Sequence, residues 1–307
     1  MSKGAKISPA SGTELDFSQP QVYKVTSEDG KWSKEYTVAV SMDMKLKYDF
    51  ENFESSKGYD EFYERAYIDT DKGTQENLQY IWASGNSGIK LIMSGKPASD
   101  YPTSAAEMIG PTGETTTVAR MVTRSTGPLG SFAGMPIAAG NLFIGWFNSS
   151  KAMGDALAAT EFGFPVNKKP VAIKGWYRYV SGTKDYNGNE VYPANAPDSC
   201  SIYAVLYKSD ENGTRLDGSN ILTSDRVVAK AIFKEPAQTL DGQWKPFENN
   251  EGDGQINFEY VTDIDQEALE QYKYNLAVVF SSSYKGAEFK GAIDSELLID
   301  DVEVIVE

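Results

Sequence analysis

Apolar and polar positions alternate through the stretch Val171 to Val180, VAIKGWYRYV. Val171, Ile173, Gly175, Tyr177 and Tyr179 share one face, while Ala172, Lys174, Trp176, Arg178 and Val180 share the other. A period of two in β-branched and aromatic residues predicts a strand. Pro165 and Pro170 precede the run, and each disfavours helix in the residue before it. The same signature recurs at Val22–Val25, Lys34–Val40, Leu46–Glu54, Asn77–Trp82, Ile89–Met93, Thr115–Thr123 and Asn141–Phe147. It continues at Ser201–Lys208, Arg226–Phe233, Gln255–Tyr260 and Glu296–Val306, and Tyr274–Ser281, YNLAVVFS, reads as a buried strand. Gly, Pro, Asn and Ser loops separate these runs, notably Ala83–Gly88, Gly127–Pro136 and Asp185–Asp198. Only Ser150–Thr160 and Asp265–Tyr272, the latter capped by Asp265, read as helix.

About twelve short strands with almost no helix predict an all-β sandwich. A long alternating strand at each end of the larger region suits a jelly roll whose first and last strands pair. The boundaries predict a partial β module over residues 1–41 and the jelly roll over residues 45–307. The chain has 307 residues, enough for one large β domain with a small partner. No apolar run approaches the roughly 20 residues of a membrane helix. The opening Met1-Ser2-Lys3-Gly4 reads as the start of an expressed fragment, with the native N-terminus absent.

Composition narrows the chemistry. With 29 basic and 44 acidic side chains the net charge is −15, which argues against nucleic acid as a partner. The lone cysteine, Cys200, excludes an internal disulfide. Its neighbours Ile202, Ala204 and Leu206 predict a buried, inert thiol. The chain has no histidine, which removes imidazole-based nucleophilic relays and His-based zinc sites. Carboxylate chemistry, Lys or Tyr chemistry, oxygen-ligated calcium, or binding without catalysis remain.

Several phrases resemble the putative carbohydrate metabolism domain of Bacteroidetes surface lipoproteins. They are WASGNSG (82–88), YPT (101–103), AAGNLFIG (138–145), FGFP (162–165), KPVAIKGWYRY (169–179), DSCSIYAVLY (198–207) and SELLIDDV (295–302). Residues 5–40 resemble the last strands of the immunoglobulin-like repeats of such lipoproteins. The resemblance implies a jelly-roll sandwich akin to carbohydrate-binding modules. It implies a polysaccharide or oligosaccharide partner, and export to the cell surface (outer membrane) or periplasm with a lipid anchor upstream.

Sugar recognition needs flat rings for C–H faces beside polar groups for hydroxyls. Trp82 with Asn86, Trp146 with Asn148, and Trp176 with Arg178 are such combinations, and Tyr101 and Trp244 lie in loop sequence. Burial in the core competes for each tryptophan. Modules similar to the galactose-binding type often hold a structural calcium where first and last strands meet, and here Asp49, Glu51, Asp300 and Asp301 occupy that junction. Adjacent residues of a strand point to opposite faces, so one of Asp300 and Asp301 is expected to face the ion. No cofactor is required otherwise. Glycan binding without catalysis is the leading expectation. A glycoside hydrolase using two carboxyl groups and a structural or adhesion domain are the alternatives.

Overall fold

The computed structural model describes residues 4–10, 13, 15, 21–38, 44–70, 73–90, 92–152, 154–190, 198–234, 236, 239 and 243–307. Val40 and residues 191–197 of the predicted loop lie outside them. The chain divides into two compact units, Met1–Asp43 and Met44–Glu307. The first holds an antiparallel sheet of β1 (Lys6–Ser8), β2 (Gln21–Thr26) and β3 (Ser33–Val38), in that order. The predicted turn at Glu28-Asp29-Gly30 joins β2 to β3, and Gly30 supplies the positive φ of 68° that the turn requires.

Sixteen strands of the second unit form two antiparallel sheets, and three two-stranded pairs lie outside them: Phe53–Glu54 with Glu61–Phe62, Glu64–Thr70 with Gly73–Gln79, and Arg124–Ser125 with Ile137–Ala138. In chain order the strands of the two sheets are β4 (Lys47–Tyr48), β5 (Trp82–Ala83), β6 (Thr103–Ile109), β7 (Thr115–Val122), β8 (Asn141–Phe147), β9 (Thr160–Phe162), β10 (Phe164–Val166) and β11 (Pro170–Val180). They continue as β12 (Ser201–Lys208), β13 (Leu216–Asp217), β14 (Val227–Ile232), β15 (Lys245–Pro246), β16 (Ile256–Asn257), β17 (Glu259–Tyr260), β18 (Tyr274–Ser281) and β19 (Glu296–Val306). Sheet one runs β6-β7-β19-β11-β15, with β16 on β11 and β4 on β19; sheet two runs β13-β9-β8-β18-β12-β14-β17, with β10 on β18 and β5 on β8. The two form the sandwich, and its first and last strands pair as expected, through Val302↔Tyr48 and Glu303↔Lys47.

The core between the sheets takes Ile173, Tyr177 and Tyr179 of β11 and Leu297, Ile299, Val302 and Val304 of β19. From sheet two it takes Leu142 and Ile144, Ile202, Ala204 and Leu206, and Leu276, Val278 and Phe280. The opposite face of sheet two is also apolar: Phe143, Phe162, Val205, Tyr207, Ala277 and Val279 form a second cluster. β18 is therefore buried on both faces. Its sequence, YNLAVVFS, is a continuous apolar run rather than an alternating one. Cys200 is buried and unpaired, and burial pushes its thiol far above the ordinary range.

Several elements differ from the sequence reading: Glu64–Thr70 and Thr103–Ile109 are strands that were not expected. The expected strand Ile89–Met93 is instead a helical turn, α1 (Asn86–Ile89), followed by turns. The helix expected over Ser150–Thr160 shrinks to Ser149–Ala152, and the chain turns at Gly154, where glycine is a poor helix former. Asp265 does cap the helix Gln266–Glu270, accepting from the Ala268 N–H.

A β-bulge interrupts the pairing of β11 with β19. Lys174 faces Glu303 but Trp176 faces Asp300, so Asp301 and Val302 together oppose Gly175. Asp301 takes a left-handed φ of 48° to make the extra step. Gly175 is matched to its place: a Cβ there lies 2.7 Å from the Phe247 ring and 3.2 Å from Val302. Phe247 is fully buried and has no room to yield. Gly175→Ala is expected to cost about 1–3 kcal/mol by overpacking, read as a lower urea midpoint with unchanged m-value; an unaltered midpoint removes this account of the bulge.

Candidate functional site

The outer face of sheet two is roofed. Three neighbouring strands place two cross-strand rows side by side on it. Phe143, Val279 and Tyr203 are register partners in one row, and Asn141, Ser281 and Ser201 in the next. All six line a groove of about 230 Å³. One row is apolar and aromatic, the other hydroxyl and amide. The roof comes from the Gly/Ser loop and turn at Gly85–Ile89, from Leu157 and its neighbours, and from Tyr284–Phe289.

Hydrogen bonds fix the rim. The Gly85 N–H donates to Asn141 Oδ1 at 2.8 Å. The Thr103 hydroxyl donates to the Asn141 carbonyl at 2.7 Å. Ser283 donates at 2.6 Å to the buried Asp198 carboxylate, which also accepts from the Ser295 hydroxyl and the Ala292 N–H. The hydroxyls of Ser201 and Tyr203 make no hydrogen bond with the described residues. Burial pushes the Tyr203 phenol far above its ordinary range, so it stays neutral and able to donate. The groove's described lining contains no Asp, Glu, Lys or Arg.

The residues singled out from sequence fall in four places. Trp82 is buried, stacked on Phe280 at 5.9 Å and edge-on to Tyr48 at 5.0 Å, and it also borders the recess that holds Trp146. Tyr101 is likewise buried, 5.6 Å from the Tyr59 ring. Asn86 borders the groove, but its amide is spent on the Thr103 backbone, donating at 2.7 Å and accepting at 3.2 Å. Each was expected to be available to ligand, and each has a structural partner instead. Trp146 is 60% exposed and lines a separate recess of about 300 Å³ with Tyr80 and Lys57. Trp176 is half-buried on the outer face of sheet one. Arg178 shares that face, its guanidinium over the Trp244 ring at 5.9 Å. Ser201 and Tyr203 escaped notice, although Ser201–Lys208 is apolar at both parities over Ala204–Tyr207, the mark of a strand covered on both sides.

The acidic junction does assemble, and by a route the sequence reading excluded. Leu297 and Ile299 face the core before the bulge, and Val302 and Val304 after it. Asp300 and Asp301 therefore both point outward, where strict alternation would have split them. Asp49 and Glu51 face them electrostatically. Yet the donors do not fit calcium. Among the described residues no three acidic side chains stand at metal-ligand spacing. Asp300 Oδ1 accepts from the Asp301 N–H at 2.9 Å. Glu51 accepts from the Thr116 hydroxyl and, at 3.0 Å, from the Thr117 N–H; these bonds outweigh burial and hold its carboxyl below the usual range. Burial above all, then Asp301, Glu51 and Asp49, pushes Asp300 up to about 7.

Comparison with known proteins adds the following. The family described as putative carbohydrate metabolism domain matches residues 49–305. The family described as SGBP, N-terminal matches residues 1–40. A crystal structure described as a putative glycoside hydrolase from Bacteroides thetaiotaomicron VPI-5482 is 40% identical, with a TM-score of 0.75 over 99% of this chain and 84% of that one. A second, described likewise, from Bacteroides vulgatus ATCC 8482, is 34% identical, with a TM-score of 0.70 over 87% of this chain and 100% of that one. No curated protein matches the chain.

Asp300 gives stability a pH dependence. Its folded-state value lies well above that of an ordinary carboxyl group, so the folded state holds the proton more tightly than the unfolded one. Its contribution is fully present below about pH 4 and is lost as pH rises through about 7. The melting temperature is expected to fall between pH 5 and pH 8, and Asp300→Asn to flatten that fall and melt higher at pH 8, in EDTA and in millimolar calcium alike. A calcium-dependent rise in melting temperature restores the metal reading, and an unchanged pH slope in the variant removes the buried proton.

Proposed function

The chain belongs to the putative carbohydrate metabolism domain family, and on that premise we propose that it binds glycan without cleaving it. The groove over β8, β12 and β18 is where the ligand lies. The observation that carries this reading is the pairing of the rows: an apolar row, Phe143–Val279–Tyr203, beside a polar row, Asn141–Ser281–Ser201. A pyranose ring has the same two characters, C–H faces and a hydroxyl edge. The free hydroxyls of Ser201 and Tyr203 meet sugar hydroxyls as donors or acceptors, and the ring face of Tyr203 or Phe143 meets a C–H face.

The phrases that resemble the family support the same place. WASGNSG, YPT, AAGNLFIG, FGFP and DSCSIYAVLY each contribute residues to this groove, from across more than a hundred positions of sequence. Glycosidic hydrolysis by a carboxyl pair needs two acids flanking the bond, and the described lining offers none; on this ground binding is favoured over the activity named for the two crystal structures. The glycan-binding type of the N-terminal match and the Bacteroides relatives favour an exported protein of the cell surface or periplasm that serves polysaccharide acquisition. No helix among the described residues is long and apolar enough to cross a membrane.

Covering one ring face removes on the order of 60 Å² from water, about 1.5 kcal/mol at ~25 cal/mol/Å². Tyr203→Ala is therefore expected to weaken glycan binding about tenfold or more in calorimetry against a glycan panel. Tyr203→Phe, which deletes only the hydroxyl, should weaken it about fivefold, for roughly 1 kcal/mol. Full affinity in Tyr203→Ala removes the groove, and release of reducing sugar by the wild-type protein replaces binding with hydrolysis. Neither binding nor turnover leaves the structural or adhesion reading.

A further inference from the structure

Sheet one carries a cleft that the groove does not use. It opens on the outer face at the bulge, between β4, β11, β19 and the loop around Gly252, and encloses about 870 Å³. We propose that this cleft is a second and independent carbohydrate site, one that takes a longer, uncharged oligosaccharide on Trp176.

The argument begins with the floor. Trp176 lies between its register partners Asp300 and Pro246. The indole and the proline ring give a flat apolar strip across two strands. The Trp176 N–H makes no hydrogen bond with the described residues, whereas Trp244, nearby on the same sheet, donates to the Ile109 carbonyl at 3.0 Å. An indole that serves only as packing is buried or finds an acceptor. This one is half-buried and offers its donor to the cleft.

The walls set the class of ligand. Glu303 bridges Lys174 at 2.7 Å and Lys47 at 3.1 Å. Lys45, Asp49, Glu248 and Asp301 complete the charged lining. Three lysines against four carboxylates leave the cleft close to neutral, so a polyanion gains little there. Charges of both signs side by side, with spare donors on the ammonium groups, suit a polyol whose hydroxyls both donate and accept. Asp301 belongs to this set because of the bulge: its left-handed backbone turns an exposed carboxylate outward beside Asp300, and no hydrogen bond from the described residues engages that carboxylate. The cleft is larger than the groove, 870 against 230 Å³, which leaves room for several consecutive sugar units.

The test titrates neutral oligosaccharides of increasing length into the intact chain by calorimetry, with the wild type, Trp176→Ala, Asp301→Asn and Tyr203→Ala. Trp176 and Asp301 face outward, and asparagine tolerates a left-handed φ, so both variants are expected to fold, with Asp301→Asn melting no lower than the wild type because it removes a charge beside Asp300. Longer oligosaccharides should bind the wild type at two sites. Trp176→Ala should lose one site or weaken it at least tenfold, Asp301→Asn should weaken the same site severalfold, and Trp176→Phe should recover part of the loss. Tyr203→Ala should affect only the other site. Unchanged stoichiometry and affinity in a folded Trp176→Ala overturn the proposal and leave the groove untouched. Loss of all binding in Tyr203→Ala overturns it also, since a single site then accounts for everything. Binding that survives in Tyr203→Ala and vanishes in Trp176→Ala supports the cleft and removes the groove instead.

Discussion

The structure of the larger unit depends on one pairing, that of Pro170–Val180 with Glu296–Val306. These two strands of eleven residues lie in the middle of sheet one, and more than a hundred residues separate them. Their inner faces supply Ile173, Tyr177, Tyr179, Leu297, Ile299, Val302 and Val304 to the core. Register there is not free. A slip by one residue would turn that whole set out to water. The register shifts twice, between Pro170 and Ala172 and at the Asp301 bulge, and at the bulge the core face is kept because one extra residue on β19 sets the parity of Val302 and Val304. The chemistry of the outer face follows from that correction. Two adjacent aspartates, a tryptophan and a lysine–glutamate–lysine bridge share a surface that strict alternation would have divided.

The two sheets solve different problems. Sheet one is apolar inside and charged outside. Sheet two is apolar on both faces, so its outer face has to be covered. The cover is made of glycine-rich loops and helical turns rather than another sheet, and such segments leave space behind them. The two proposed sites thus differ in physical setting. One is a small roofed groove without charge; the other is a larger open cleft with charges of both signs.

Much of the sandwich was legible in the sequence. Alternation located β7, β11 and β19 of sheet one but not its edge strand β6, and the unbroken run YNLAVVFS read as a buried strand. The pairing of the first and last strands followed from their length and pattern. What was not legible depended on partners. Trp82 and Trp176 both read as candidate platforms, but only the fold places Phe280 and Tyr48 against the first and an open cleft against the second. The bulge was hidden because it is a property of two strands in register, not of either alone. Ile89–Met93 read as a strand because a short apolar run looks the same in a strand and in a turn packed against a sheet. The groove was half-visible: the phrases around it were noticed, but Ser201 and Tyr203 were read only for the residues between them, which face the core.

The position of β19 also governs when the unit can exist at all. It is the last strand of the unit in chain order, yet it lies between β7 and β11 and holds β4 as well. While the ribosome is still making residue 290, sheet one has no centre, and β7 and β11 have no common neighbour. Domains generally fold as units while the chain emerges at about 5–20 residues per second, but this one has to wait for its final strand to clear the exit tunnel. Until then its strands expose unpaired edges and apolar faces, which chaperones recognise. Strand order here therefore bears on the timing of folding as well as on shape.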